Sequence, residues 1–271
     1  MKQSKWDRRM GRADELAIAH PFAADVLRFY KSVVGLQRGL YLHFEKTAGS
    51  NGKTRAPGLL PEDLNLSLLL ARFPEFLSSV ASVASPEIAR SASDLKAQPA
   101  SRWHDLLSSH WQTISDFRAT PGQSESLLAW IFLQPYAEYL ADHSPHRPPN
   151  ESLAVCPFCS GRPQVGVLRP EGDGAKRSLI CAICATEWTY GRIVCPACDE
   201  KAVEKLAIYT ADQFQHVRVE ACDTCRYYIK TVDLTKNGLA VPVVDELATI
   251  PLNLWAGEHG YFKLGTNLLG I

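Results

Sequence analysis

Three things are absent from the chain: net charge, a long apolar run, and any cysteine outside residues 156–225. The 29 basic and 29 acidic residues cancel, and both halves are nearly balanced. This argues against a general nucleic-acid binder, because neutralising phosphates requires a basic face. No uninterrupted apolar stretch approaches the ~18–20 residues that cross a bilayer. Arg8 and Arg9 suggest a twin-arginine signal, but Asp14 and Glu15 stand where its apolar segment should begin. The pair reads instead as a solvated helix start. The expectation is a soluble cytoplasmic protein, in which thiols stay reduced and open to metal. The sequence also offers no nucleophile–base constellation, phosphate loop or outstanding carboxylate pair. No catalytic residue is assigned, and the chain is not expected to be an enzyme.

The eight cysteines form four C-x-x-C pairs: Cys156/Cys159, Cys181/Cys184, Cys195/Cys198 and Cys222/Cys225. Each pair lets one tight turn aim two sulfurs at one point, and two facing turns make a tetrahedral cage. Paired in order, they read C-x2-C-x21-C-x2-C and C-x2-C-x23-C-x2-C, close to the long-spacer zinc pattern. Interleaved pairing stays open, since spacing does not exclude it. Disulfides suit small secreted domains, and a thioredoxin-like motif needs one C-x-x-C before a helix. Two metal ions, iron or zinc, each in a four-cysteine site, are therefore expected, with all eight cysteines as ligands. Four protein sulfurs leave no open position for water, which removes metal-assisted hydrolysis. Each module of about forty residues buries little apolar surface, so the metal would act as its staple.

Before the cysteines the periodicity is helical. Phe22, Val26, Tyr30, Val33, Leu40 and Phe44 recur mostly at three- and four-residue steps from Pro21 to about Glu45. Residues 47–58 read as a polar loop. Pro61, Pro74 and Pro86 each open a short helix, and Ser101 is expected to cap a helix over Trp103 to Phe117. Ser124 caps the next, in which Pro135 should introduce a kink or a break. The segment from Asp142 to Asn150 reads as a linker, and its prolines keep His143 and His146 from sharing a helix face. After Ser152 the pattern turns to strands, with clean alternation in the run His216 to Glu220. The expected fold class is α+β: an all-helical domain over 1–146, then two tandem small β-rich modules over 151–193 and 194–271. CPFC matches CPAC and ICAIC matches ACDTC, as in a divergent repeat, which supports pairing in order. The tail from Val244 to Leu254 is expected to form a short helix, with Val244, Leu247, Leu252 and Leu254 packing on the modules. The apolar last turn either docks back or joins two copies as a homodimer.

The ordered series CPFC, CAIC-ATEW, CPAC and CDTC-RYYIK, followed by the closing VVDELATIPLNLWAGEHGYFKLGTNLLG, resembles the FdhE-type formate dehydrogenase accessory proteins. The resemblance covers the whole C-terminal half. It implies a cytoplasmic maturation factor, or chaperone, that binds the catalytic subunit of formate dehydrogenase and does no catalysis of its own. It also implies rubredoxin-like metal folds, in which iron stands beside zinc. The eight cysteines carry over as ligands. Glu187, Trp188, Tyr228 and Lys230 carry over as members of the family pattern, without an assigned role. Two other readings remain: a zinc-ribbon nucleic-acid-binding protein, which the few basic residues around the knuckles disfavour, and a rubredoxin-like redox carrier or sensor.

Overall fold

The structure, a computed structural model, describes residues 4–47, 59, 63–112, 124–144 and 153–270. The N-terminal region is helical and the C-terminal region β-rich, as expected. The helices are α1 (Lys5–Ala19), α2 (Ala24–Thr47), α3 (Leu66–Leu70), α4 (Phe73–Ala81), α5 (Pro86–Lys96), α6 (Ala100–Gln112) and α7 (Ser124–Asp142). Ser4 caps α1, accepting from the Asp7 N–H, and a 3-10 turn at Pro21–Ala23 joins α1 to α2. Pro74 and Pro86 sit in the first turns of α4 and α5, where a missing N–H costs nothing. Asn65 starts α3 by accepting from the Leu68 N–H; the expected start at Pro61 lies outside the described residues. Helix α6 begins at Ala100, one residue before the expected cap Ser101.

Pro135 does not split the helix: α7 continues through it as one element. It is buried nearly all round, against α2, α5 and α6, so neighbouring helices hold its backbone where proline removes a hydrogen bond. Arg9 is buried rather than solvated: it donates to Glu138 of α7 at 2.8 Å, and Lys5 pairs with the same carboxylate at 2.9 Å. His143 stays attached to the end of α7 through its ring nitrogen and the Tyr139 carbonyl, while His146 lies outside the described residues.

The β-rich region holds β1 (Pro163–Glu171), β2 (Gly174–Cys181), β3 (Glu187–Thr189), β4 (Leu206–Thr210), β5 (Val217–Cys222), β6 (Tyr227–Asp233) and β7 (Phe262–Lys263), with α8 (Pro242–Ala248) and α9 (Ile250–Glu258) between β6 and β7. The strand order is β3-β2-β1-β6-β5-β4, with β7 beside β6. Each half of this order is a three-stranded antiparallel meander from one knuckle unit. The halves join where β1 runs parallel to β6, pairing Gly166 with Thr231 and Val167 with Val232. The two units thus share one seven-stranded sheet. Val217 and Val219 are buried as the alternation predicts, on the face that packs against α9.

Gly166 marks the tight point of this junction, because a Cβ there would overlap the Thr231 hydroxyl. Gly166→Ala is expected to lower stability by ~1–3 kcal/mol through overpacking. Adding Thr231→Ala should return part of that loss, since the two sites share one contact. Denaturant midpoints of the two single variants and the double variant check this, and strictly additive losses would contradict it.

The tail forms two helices instead of one. Val244, Leu247 and Leu252 are buried as expected, but Leu254 is 64% exposed because it faces outward on α9. The last described turn docks back: Leu264 and Leu268 join the core, and Asn267 donates to Glu246 at 3.0 Å.

Candidate metal centres

The four C-x-x-C turns share one local geometry. The residue after each second cysteine is left-handed: Ser160 at φ 58°, Ala185 at 55°, Asp199 at 61° and Arg226 at 61°. None is glycine, and a left-handed residue with a Cβ costs ~1–2 kcal/mol. The turn over-determines the conformation. Its carbonyl accepts from the left-handed residue, as in Ser160 N–H to Cys156 O at 2.9 Å and Arg226 N–H to Cys222 O at 2.8 Å. Backbone N–H groups then point at the leading sulfurs, from Phe158 to Cys156, Ile183 to Cys181 and Ala197 to Cys195, at 3.3–3.4 Å. Four non-glycine residues in this conformation have no sequence signal beyond following a C-x-x-C.

Pairing follows chain order. Cys156, Cys159, Cys181 and Cys184 form one cluster, and Cys195, Cys198, Cys222 and Cys225 the other, with sulfurs within 4.8 Å of one another in each. A tetrahedral site with metal–sulfur bonds of about 2.3 Å has sulfur–sulfur edges of about 3.8 Å. The short edges are 3.3–3.6 Å in the first cluster and 3.7 Å in the second. Both clusters therefore fit a single tetrahedral ion. As free thiols they are crowded. Burial pushes the Cys181 and Cys159 thiols well up, whereas hydrogen bonds from its three neighbours hold Cys156 far down. A cation at the centre would let all four serve as thiolates.

The clusters differ in setting. All four cysteines of the first are buried in the main core, and the Gln134 side chain of α7 donates to the Ala182 carbonyl within its second knuckle at 3.0 Å. In the second, Cys198 is exposed and Cys225 half-buried. Spacing is nearly the same for both, so this asymmetry has no sequence signal.

The four family-pattern residues lie outside both clusters. Glu187 pairs with Arg169 at the surface at 2.6–2.7 Å. Trp188 is buried and donates to the Leu153 carbonyl, and Tyr228 is buried in the sheet. Lys230 is fully buried and pairs with Glu246 of α8 at 2.9 Å. Burial opposes ionisation of Glu246, but Lys230 and Lys263 hold its carboxyl down at about 2. Burial likewise pulls the Lys230 ammonium down to about 8, against the attraction of Glu246. Sequence reasoning missed Glu246, and also Asp245. The Asp245 carboxylate takes Arg12 of α1 at 2.6 Å and His216 at 2.7 Å, tying the N-terminal helix to the β-rich region.

A helical region joined to a β-rich region with two four-cysteine clusters defines the class of protein. Two family models match consecutive parts of it: FdhE, central domain, over residues 155–192, and FdhE, C-terminal domain, over 193–269. A relative described as a protein FdhE homolog from Aquifex aeolicus is 26% identical over 92% of this chain and 87% of its own length. Another from Pasteurella multocida is 31% identical over 64% of this chain and 54% of its own length. The crystal structure of the FdhE protein from Pseudomonas aeruginosa shares the fold, with a TM-score of 0.73 at 24% identity, over 99% of this chain and 97% of that one. The chain is an FdhE-type protein. Among its described residues no helix is long and apolar enough to cross a membrane.

Proposed function

We propose that the chain is a cytoplasmic maturation factor that binds the catalytic subunit of formate dehydrogenase and is needed for its activity, without catalysis of its own. The observation that carries this reading is the match of the FdhE central and C-terminal domains over residues 155–269. The eight cysteines hold two metal ions, iron or zinc, one in each four-cysteine cluster. The chain divides in this reading into a helical domain over 1–146 and modules over 151–193 and 194–271, and the meeting of the two family models at residues 192 and 193 supports the boundary between the modules. Zinc would serve as a staple only, while iron in the more exposed second cluster would add one-electron redox chemistry. Exposure of Cys198 and Cys225 favours that second, sensing role alongside the first.

A deletion strain grown where formate dehydrogenase is needed should contain the enzyme's polypeptide, yet almost no activity. Restoring the gene should restore activity. Full activity in the deletion strain would sink the proposal. Metal analysis of protein purified without oxygen separates iron from zinc, because metal availability otherwise overrides site preference.

A further inference from the structure

The face of β4 and β5 that points away from α9 forms the floor of a cavity of about 400 Å³. Its wall is the segment 192–197, which leads into the second cysteine cluster, and Cys195 and Cys222 lie at its end. Three large apolar side chains line it while staying open to solvent: Ile193 at 54%, Val203 at 65% and Ile208 at 57% exposed. Such a volume with mostly apolar walls and a few polar groups is typical of a binding site.

The polar groups are unequal in sign. Arg177, Arg192 and Arg218 line the cavity against the single carboxylate of Glu220. Glu220 takes Arg177 at 2.6 Å and Arg218 at 2.6 Å, so its charge is already shared between two guanidinium groups. Arg192 is exposed and has no ion-pair partner among the described residues. Arg177 is 2% exposed, and its Nε lacks any hydrogen-bond partner. Its two Nη atoms already donate to the Gly191 carbonyl and to Glu220, which leaves Arg192 as the guanidinium open to an incoming anion. The cavity also reaches the outer edge of the sheet: β4 pairs only with β5, so its other backbone edge has no strand beside it among the described residues. An open edge accepts an extended chain through main-chain hydrogen bonds, while alternate side chains enter neighbouring pockets.

We propose that this groove binds an extended peptide segment of a client protein, carrying one acidic side chain between apolar ones. The carboxylate meets the arginine cluster, and the apolar side chains cover Ile193, Val203 and Ile208. This rests on the reading that the chain binds the formate dehydrogenase catalytic subunit, and it locates that contact beside the second cluster rather than the first.

The test uses the full chain with both metals, the purified catalytic subunit, and an array of overlapping peptides from that subunit. Arg192→Glu and Ile208→Asp are each expected to weaken binding on the order of ten-fold, as for a single hot-spot contact. Ile208→Val should bind as the wild type does. Peptides retained on the array should be acidic and apolar, and their binding should weaken with salt for the wild type more than for Arg192→Glu. Metal content and melting temperature of each variant establish that it is folded. If folded Arg192→Glu and Ile208→Asp bind the subunit as tightly as the wild type, the groove assignment fails and the maturation role stands. If the wild type binds neither subunit nor peptide, both fall together.

Discussion

Replacing Cys181 with serine is expected to leave the C-terminal region unfolded and free of metal, whereas Cys198→Ser should give folded protein that keeps one ion per chain. Cys181 sits in the main core with its three partners, under the helix α7 that donates to the adjacent Ala182 carbonyl. Loss of one ligand there removes a metal-binding free energy on the order of 10–16 kcal/mol. That is as large as the ~5–15 kcal/mol total stability of a typical domain. The serine hydroxyl would also be buried among sulfurs that no longer converge. Cys198 is exposed, and its knuckle lies at the rim of the sheet next to the open cavity. Its loss frees one ion and loosens one turn, but the shared sheet and the first cluster persist. Metal content per chain and a thermal melt followed by circular dichroism check both variants. A chelator in excess should likewise release one ion quickly and the other slowly. A Cys181→Ser protein that melts like the wild type, or two ions leaving at one rate, would contradict the asymmetry.

The second large effect belongs to Glu246. This carboxylate is fully buried and takes Lys230 at 2.9 Å, Lys263 at 2.5 Å and Asn267 at 3.0 Å. It gathers β6, β7 and the last turn onto α8. Glu246→Gln leaves the Lys230 ammonium buried without its counter-charge, and breaking one partner of such a pair costs about 3–5 kcal/mol. Replacing the whole charge cluster with apolar residues of similar volume, Lys230→Met and Lys263→Met with Glu246→Leu, leaves neither ammonium without its counter-charge and should cost less than Glu246→Gln alone. The pH dependence has a definite sign. The Glu246 carboxyl is held at about 2 in the folded chain, below the usual 4.5. Its contribution is therefore fully present above pH 4.5 and is lost as the pH falls from there toward 2. The stability gap between wild type and Glu246→Gln, measured by denaturant unfolding, should close over that window. A gap that is the same at pH 3 and pH 7 would contradict the role given to the pair.

Both expectations draw on features of very different legibility. The cysteine clusters could be read from the chain because a C-x-x-C turn is a local object: two sulfurs three residues apart already converge, whatever surrounds them. Lys230 could be singled out only as part of a pattern. Its partner Glu246 lies in another element 16 residues on, and nothing in local periodicity marks it. The clasp from Arg12 to Asp245 spans 233 residues and is still less visible. Leu254 was misplaced for a related reason: an apolar residue on a short helix does not announce which face the sheet will cover.

The sequence by itself determined that the chain has a helical part followed by a β-rich part, that eight cysteines form four knuckles, and which family those knuckles belong to. Periodicity and spacing are local, and local geometry is sufficient for the first two; the family rests on the resemblance of the whole ordered motif series. Tertiary structure alone decided that the two units share one sheet through β1 and β6, that the first cluster lies in the core while the second stands open, and that three arginines border an apolar groove beside it. These depend on which surfaces meet. Burial and charge pairing join residues far apart in the chain, and the free energy of such contacts is set by their surroundings rather than by their neighbours in sequence.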